Sequence, residues 1–459
     1  MDRTRQLGEE GIPRLLFRFS IPAIVGMIVS ASYSVVDRIF IGQAVGSLGI
    51  AGVTIGFSVM LLIMAFGMLI GIGATTLISI RLGEGKKEEA EMVMGNALTL
   101  LVLVSLFLTA GGLIFLKPLL SFFGASETVL PYAAQYIGII LIGSVFAGVG
   151  FGANNFIRAD GSPRTAMVSM FISALTNAAL ASLFIFAFHW GMRGAAWATV
   201  IAQAVTTVWV LLYFTRGKST MKLRRKNLRL KGRLVSRIII LGSAPFFMQI
   251  AAAAVTVILN KSLVTYGGDV AVSAMGIIYS VTMMILMPIF GINHGAQPII
   301  GYNYGAKKFD RVKKTLKLAI LAASAVVFCG FTVAMFFPEQ LIRMFNSSDK
   351  ELLRLGTQAM RIYLLLLPIV GFQIVSSSYF QAVGKPREAM ILSLLRQVVV
   401  LIPAILILPR FFGLTGVFMT SPLSDLISSV LTAVCLCREV RILNQKIRAR
   451  EEEESGTAS

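Results

Sequence analysis

Twelve apolar stretches divide the 459-residue chain, near 13–36, 48–80, 91–116, 131–157, 163–188, 191–214, 235–264, 270–302, 313–336, 354–381, 386–409 and 413–437. Each is long enough to cross a hydrocarbon core of ~30 Å as a helix. Lipid offers no partner to a backbone N–H or C=O, so stretches of this length must satisfy their own hydrogen bonds, which an α-helix does. With 56% hydrophobic and only 14% charged residues, and a mean hydropathy of +0.80, too little polar surface remains to coat a soluble globule of this size. The expected fold class is an all-α integral membrane protein with 12 transmembrane helices.

The first twenty residues lack the basic, apolar and small-residue order of a cleavable signal, so the first span is expected to act as the insertion signal. The three cysteines, Cys329, Cys435 and Cys437, imply no disulfide framework. An even number of spans places both termini on one side, and the great majority of the 42 lysines and arginines fall there. They include Arg3 to Arg18, the ten basic residues from Arg216 to Arg237, Lys307 to Lys317 and the tail from Arg438. Short loops rich in Lys and Arg stay in the cytoplasm, which predicts a multi-pass protein of the plasma membrane with cytoplasmic termini. The net charge of +20 is then a topology signal. The run Lys222 to Arg233 suits anionic lipid headgroups, and no nucleic-acid partner is expected.

The chain repeats itself. Gly46 to Gly85 aligns without a gap on Gly268 to Lys307, 222 residues later. Gly161, Pro163 and Arg164 recur as Gly384, Pro386 and Arg387, and Gly191 and Gly194 as Gly413 and Gly416. Two homologous six-helix bundles in the same orientation follow: an N-terminal lobe at 1–214, a basic cytoplasmic linker loop at 215–234, a C-terminal lobe at 235–440 and a polar tail at 441–459. Parallel repeats with a central cleft are an architecture of transporters that alternate access.

A charged side chain inside a span costs about 2.5 to 3.5 kcal/mol on insertion scales unless it is paired, hydrated or neutralised. Of the 22 acidic residues, the two within spans are Asp37, near the outer end of span 1, and Asp425, midway along span 12. Arg396 on span 11 lies at similar depth to Asp425, and the two are expected to form a buried ion pair. Asp37 has no such partner, since the adjacent Arg38 points elsewhere around the helix. Asn154, Gln297 and Gln381 are candidates to line a substrate cavity, with the flexible thioethers of Met60, Met64, Met283 and Met287. His294 is a candidate proton relay. No constellation of catalytic acids, histidines or nucleophiles marks an enzyme.

The segments SVVDRIFIGQAVG (34–46), FIRADGSPRTAM (156–167), TNAALASLFIFAFHWGMRGAAWATVIAQ (176–203) and GAQPIIGYNYGAKKFDRV (295–312) resemble the multidrug and toxic compound extrusion (MATE) family. The resemblance implies export of amphipathic, often cationic drugs and dyes in exchange for H⁺ or Na⁺, with no cofactor, by a monomer in membrane lipid. It also implies an ion-coupling set of Asp37, Asn177 and Thr199, the only place where a Na⁺ ion is expected. Where the family pattern has a further aspartate this chain has Ala181, and the loss of a hard anionic oxygen favours H⁺ over Na⁺. The acids that another subgroup carries in spans 7 and 10 are replaced here by Gln249 and Gln373. A lipid or lipid-linked-sugar flippase of the same superfamily is the alternative reading, with a membrane-embedded enzyme behind it.

Overall fold

A computed structural model describes residues 5–217, 219–345 and 349–456. Arg3 and Lys218, two of the charges that set the expected orientation, lie outside the described residues. Spans 1 to 3 are Ile12–Val45, Leu48–Gly83 and Lys87–Ile114. Span 4 is a bent pair, Leu130–Ile142 and Ser144–Ala159, turning by 56°. Pro163–Ala187, Gly191–Thr215, Gly232–Gly268, Val270–Gly305 and Phe309–Phe336 are spans 5 to 9. Span 10 is again bent, Lys350–Tyr363 and Leu367–Ala382, by 49°. The last apolar helix, Pro386–Ala449, has 64 residues, about three times the thickness of a bilayer core at ~1.5 Å per residue. It is broken at Gly413, where φ is 56°. Residues 386–412 and 414–449 are therefore spans 11 and 12, and twelve spans are present among the described residues.

The duplication is written in the backbone as well as in the sequence. Left-handed φ values occur at Gly46, Gly85, Gly161 and Gly191, and again at their repeat partners Gly268, Lys307, Gly384 and Gly413. Each pair ends one helix and starts the next at the same point of its bundle. Of these eight, Lys307, at φ 57°, is the one that places a side chain in this region, which carries a cost of about 1 kcal/mol that glycine avoids.

Two compact units result, but neither coincides with six consecutive spans. Residues 1–10 and 21–249 form the first, and residues 11–20 and 250–459 form the second. The first turns of spans 1 and 7 are thus exchanged between the units. Close backbone packing holds each exchanged segment. In the first unit Gly242 lies so near Leu69 that an added Cβ would overlap the Leu69 carbonyl oxygen, and Gly73 abuts the Ile238 carbonyl in the same way. In the second unit Gly295 packs against the backbone of Ser20. Ser20 and Gly295 are the repeat partners of Gly242 and Gly73. Small residues let helices approach this closely, which is how spans associate where lipid removes the hydrophobic drive.

The segment expected as a linker loop is strapped to the first unit. Glu91 and Asn96 on span 3 and Asp160 at the end of span 4, all buried, supply the anchors. Asp160 accepts hydrogen bonds from the Tyr213 hydroxyl (2.6 Å), the Ser219 hydroxyl (2.8 Å) and the backbone N–H groups of Thr220 and Met221. Glu91 accepts from the Lys222 N–H at 3.0 Å and pairs with Arg224. The Asn96 amide donates to the Asn227 carbonyl and its oxygen accepts from the Lys231 N–H at 2.7 Å.

Candidate functional site

Span 1 continues nine residues beyond its expected end at 36, to Val45, because the Asp37–Arg38 pair does not terminate the helix. Asp37 therefore lies about 12 Å from the end of the helix rather than at its mouth. It is buried, and one carboxylate oxygen, Oδ1, has no hydrogen-bond partner among the described residues. Tyr136 of span 4 lies beside the carboxyl group. Arg38 turns away from it and sets its guanidinium over the Phe57 ring, 5.9 Å from the centroid.

Asn177 on span 5 and Thr199 on span 6 are both buried. The Asn177 amide donates to the Thr199 hydroxyl at 3.1 Å, and that hydroxyl donates to the Ala195 carbonyl at 3.1 Å. Ile41, Ala181 and Ala195 are each one helical turn from Asp37, Asn177 and Thr199 respectively, and all three share one packed cluster with Tyr136. Asn177 and Thr199 are thus in contact, and all three residues border one packed cluster of the first unit. These side chains carry one carboxylate, one amide and two hydroxyl groups, and Ala181 stands one helical turn from Asn177. Tyr136 was not among the expected residues. Its hydroxyl is invisible to a census of charges, although a tyrosine in an apolar stretch usually seeks a partner.

The second unit holds the other intramembrane acid. Arg396 Nε lies 2.9 Å from Asp425 Oδ1. Ser421 is 3.4 Å from the other Asp425 oxygen, and the Ser424 hydroxyl donates to the Arg396 carbonyl at 2.7 Å. The Arg396 carbonyl belongs to a π-helical stretch, Leu395–Leu401, in which backbone bonds shift register. Tyr363 lies beside this group.

The remaining candidates are more dispersed. The Asn154 amide is committed to helix packing, donating to the Ala166 carbonyl and the Ser169 hydroxyl at 2.8 and 2.6 Å. Met60 packs against the first unit's core cluster. Met64 is exposed on the protein surface, while Met283 and Met287 are half-buried. Gln381 has a buried amide nitrogen without a partner among the described residues. Gln297 and His294 are half-buried and both are engaged in contacts. Arg158, in the last turn of span 4, is also buried, and its guanidinium donates to Asn155 Oδ1 at 3.1 Å.

The MatE family profile matches twice, over residues 22–183 and 244–406. The chain belongs to the MatE family. The two matches lie 222 and 223 residues apart at their ends, once in each half of the internal repeat. Among MatE relatives, the multidrug export protein MepA of Staphylococcus haemolyticus (strain JCSC1435) is 27% identical over 423 residues, covering 92% of this chain and 93% of that protein. MepA of Staphylococcus aureus (strain MRSA252) is 26% identical over 435 residues, covering 95% and 94%. The solved structure of the MATE multidrug transporter DinF-BH in complex with a dye is 43% identical, with a TM-score of 0.88 over 94% of this chain and 96% of that one. An outward-facing MATE transporter of the MOP superfamily shares the fold, with a TM-score of 0.90 at 23% identity over 95% and 98%. This MatE chain is a multi-pass membrane protein of twelve helices in two bundles.

Proposed function

We propose that the chain is a secondary active exporter that antiports amphipathic, often cationic organic compounds against H⁺ by alternating access, from a plasma membrane in which both termini are cytoplasmic. The relatives named for multidrug export, and the 43% identical transporter solved with a bound dye, support the substrate class. The observation that carries the coupling is Asp37, a buried carboxylate with one oxygen unpartnered among the described residues. An acid in this setting is stable only with a proton or a cation upon it.

Proton coupling is favoured over Na⁺ because Asn177, Thr199 and Tyr136 add only neutral oxygens to that single carboxylate, whereas a hard cation gains most from anionic ligands. Protonation from outside would discharge Asp37 and weaken the lobe's hold on a cationic drug; release of the proton to the cytoplasm would restore it. Differential affinity between the two states then drives exchange.

The test is efflux of ethidium from energised vesicles, with pH and Na⁺ gradients imposed separately. The expected result is efflux driven by the pH gradient, abolished in Asp37→Asn at matched expression and folding. Full efflux by that variant would remove Asp37 from the cycle, and a response to Na⁺ alone would reassign the ion.

A further inference from the structure

Span 12 carries an unusual face. Ser421, Asp425, Ser428, Thr432 and Glu439 recur at spacings of four, three, four and seven residues, and at ~100° per residue they fall within about 60° of the Asp425 direction. All five are buried. The face runs from the Arg396–Asp425 pair to Glu439, toward the side of the termini, some 21 Å at ~1.5 Å per residue.

At that end Glu439 receives a hydrogen bond from the Tyr379 hydroxyl of span 10 at 3.3 Å and a charge-assisted one from Lys385. The Tyr379 contact fixes the register of spans 10 and 12, which run in the same direction. Gln373 and Ser376, two turns and one turn above Tyr379, therefore lie at the level of Thr432 and of the turn below it respectively. Between the two charged ends, the hydroxyls of Ser376, Ser428 and Thr432 and the side-chain carbonyl of Gln373 have no hydrogen-bond partner among the described residues. Each of the four residues is less than 5% exposed. Other span serines and threonines, such as Thr256, Thr282 and Thr332, bond the carbonyl four residues earlier; these do not. Buried polar groups left by the protein are met by water.

We propose that this face is a water-filled seam inside the C-terminal bundle that opens the Arg396–Asp425 pair to the cytoplasm, so that Asp425 exchanges protons with cytoplasmic water. Around Asp425 the other charged or titratable groups are Arg396, Tyr363 and Tyr279. At the mouth they are Lys385, Tyr379 and Tyr304 beside Glu439, with Lys446 over the Tyr304 ring. A carboxylate at each end and hydroxyls between supply alternating donors and acceptors for a file of water. The seam would make the C-terminal bundle a second site of proton uptake, remote in sequence from Asp37.

Two measurements test it. In a chain with all three cysteines changed to serine, Ser428→Cys and Thr432→Cys should react with methanethiosulfonate ethylammonium, followed by intact mass, at least tenfold faster than two controls. Val430→Cys faces outward, and Val417→Cys is buried among apolar groups. Rates equal to those of Val417→Cys would overturn the water-filled seam. The second measurement is the infrared carboxyl band that appears on acidification and that Arg396→Gln/Asp425→Asn removes. Its shift on transfer from H₂O to D₂O should slow at least tenfold in Ser428→Ala/Thr432→Val, a variant that only trims hydroxyls. An unchanged exchange rate, or no band assignable to Asp425, would overturn the proton route. Neither measurement involves Asp37 or drug efflux, so a failure here leaves the exporter reading to its own test.

Discussion

Replacing Arg396 by glutamine would leave the Asp425 carboxylate, 4% exposed, without its counter-charge. With charge centres ~4 Å apart and an effective dielectric constant of about 20, the lost attraction is about 4 kcal/mol. That agrees with the 3 to 5 kcal/mol typical of breaking a buried pair from one side. The opposite change, Asp425→Asn, strands a guanidinium that is 29% exposed and can lean toward water, so the expected cost is smaller, about 1 to 2 kcal/mol. Arg396→Gln/Asp425→Asn removes both charges and should recover most of the larger loss. The assay is unfolding by sodium dodecyl sulfate from bicelles, followed by far-ultraviolet circular dichroism. Tryptophan fluorescence is unsuitable because Trp190, Trp197 and Trp209 all belong to the first unit. A double variant whose loss equals the sum of the single losses would refute the pairing energy, and Asp425→Asn costing more than Arg396→Gln would refute the argument from burial.

Gly242→Ala should lose at least 3 kcal/mol, more than ordinary overpacking, because its Cβ would collide with backbone rather than with a side chain that can rotate; size-exclusion chromatography should show loss of the monodisperse folded species. Asp160→Asn should weaken the strap by about 2 kcal/mol, since it forfeits charge-assisted hydrogen bonds, and trypsin should then cut at Arg225 and Lys226 several-fold faster. Gly85→Ala, at φ 75°, should cost about 1 kcal/mol, read as a lowered thermal midpoint, whereas an unchanged midpoint would show that the turn relaxes freely.

The spans were legible because each obeys a length and hydropathy rule that lipid imposes on every segment separately. The repeat was legible because glycines that end helices left-handed cannot drift without cost, and their spacing survives where side chains have diverged. Span 1 was misjudged at its end because Asp37 and Arg38 look like a polar terminus. Only the packing around Tyr136 and Phe57 shows how both are accommodated in a continuing helix. The contact of Arg396 with Asp425 could be read from depth on consecutive antiparallel helices, since each needed a counter-charge and no other lay near. Tyr136, Glu91, Asp160 and Glu439 gave no comparable signal. A phenol has no charge to balance, and the three acids lie at span ends, where sequence alone cannot tell a solvated carboxylate from a buried anchor. The strap at 215–234 was read as a loop because its anchors are backbone N–H groups received by residues more than fifty positions away.

The exchange of the first turns of spans 1 and 7 has a consequence for how the chain is made. When the sixth span leaves the translocon, the groove beside Leu69 and Gly73 still awaits Ile238 and Gly242, and the Gly11–Ser20 segment awaits Gly295. Neither bundle can be completed in order of synthesis. The nascent N-terminal half must wait, partly assembled, until span 7 has been inserted, and its own first residues cannot settle until span 8 follows. A gene split in the basic strap would therefore yield two polypeptides that each lack a segment held by the other, recoverable only when both are made in the same membrane.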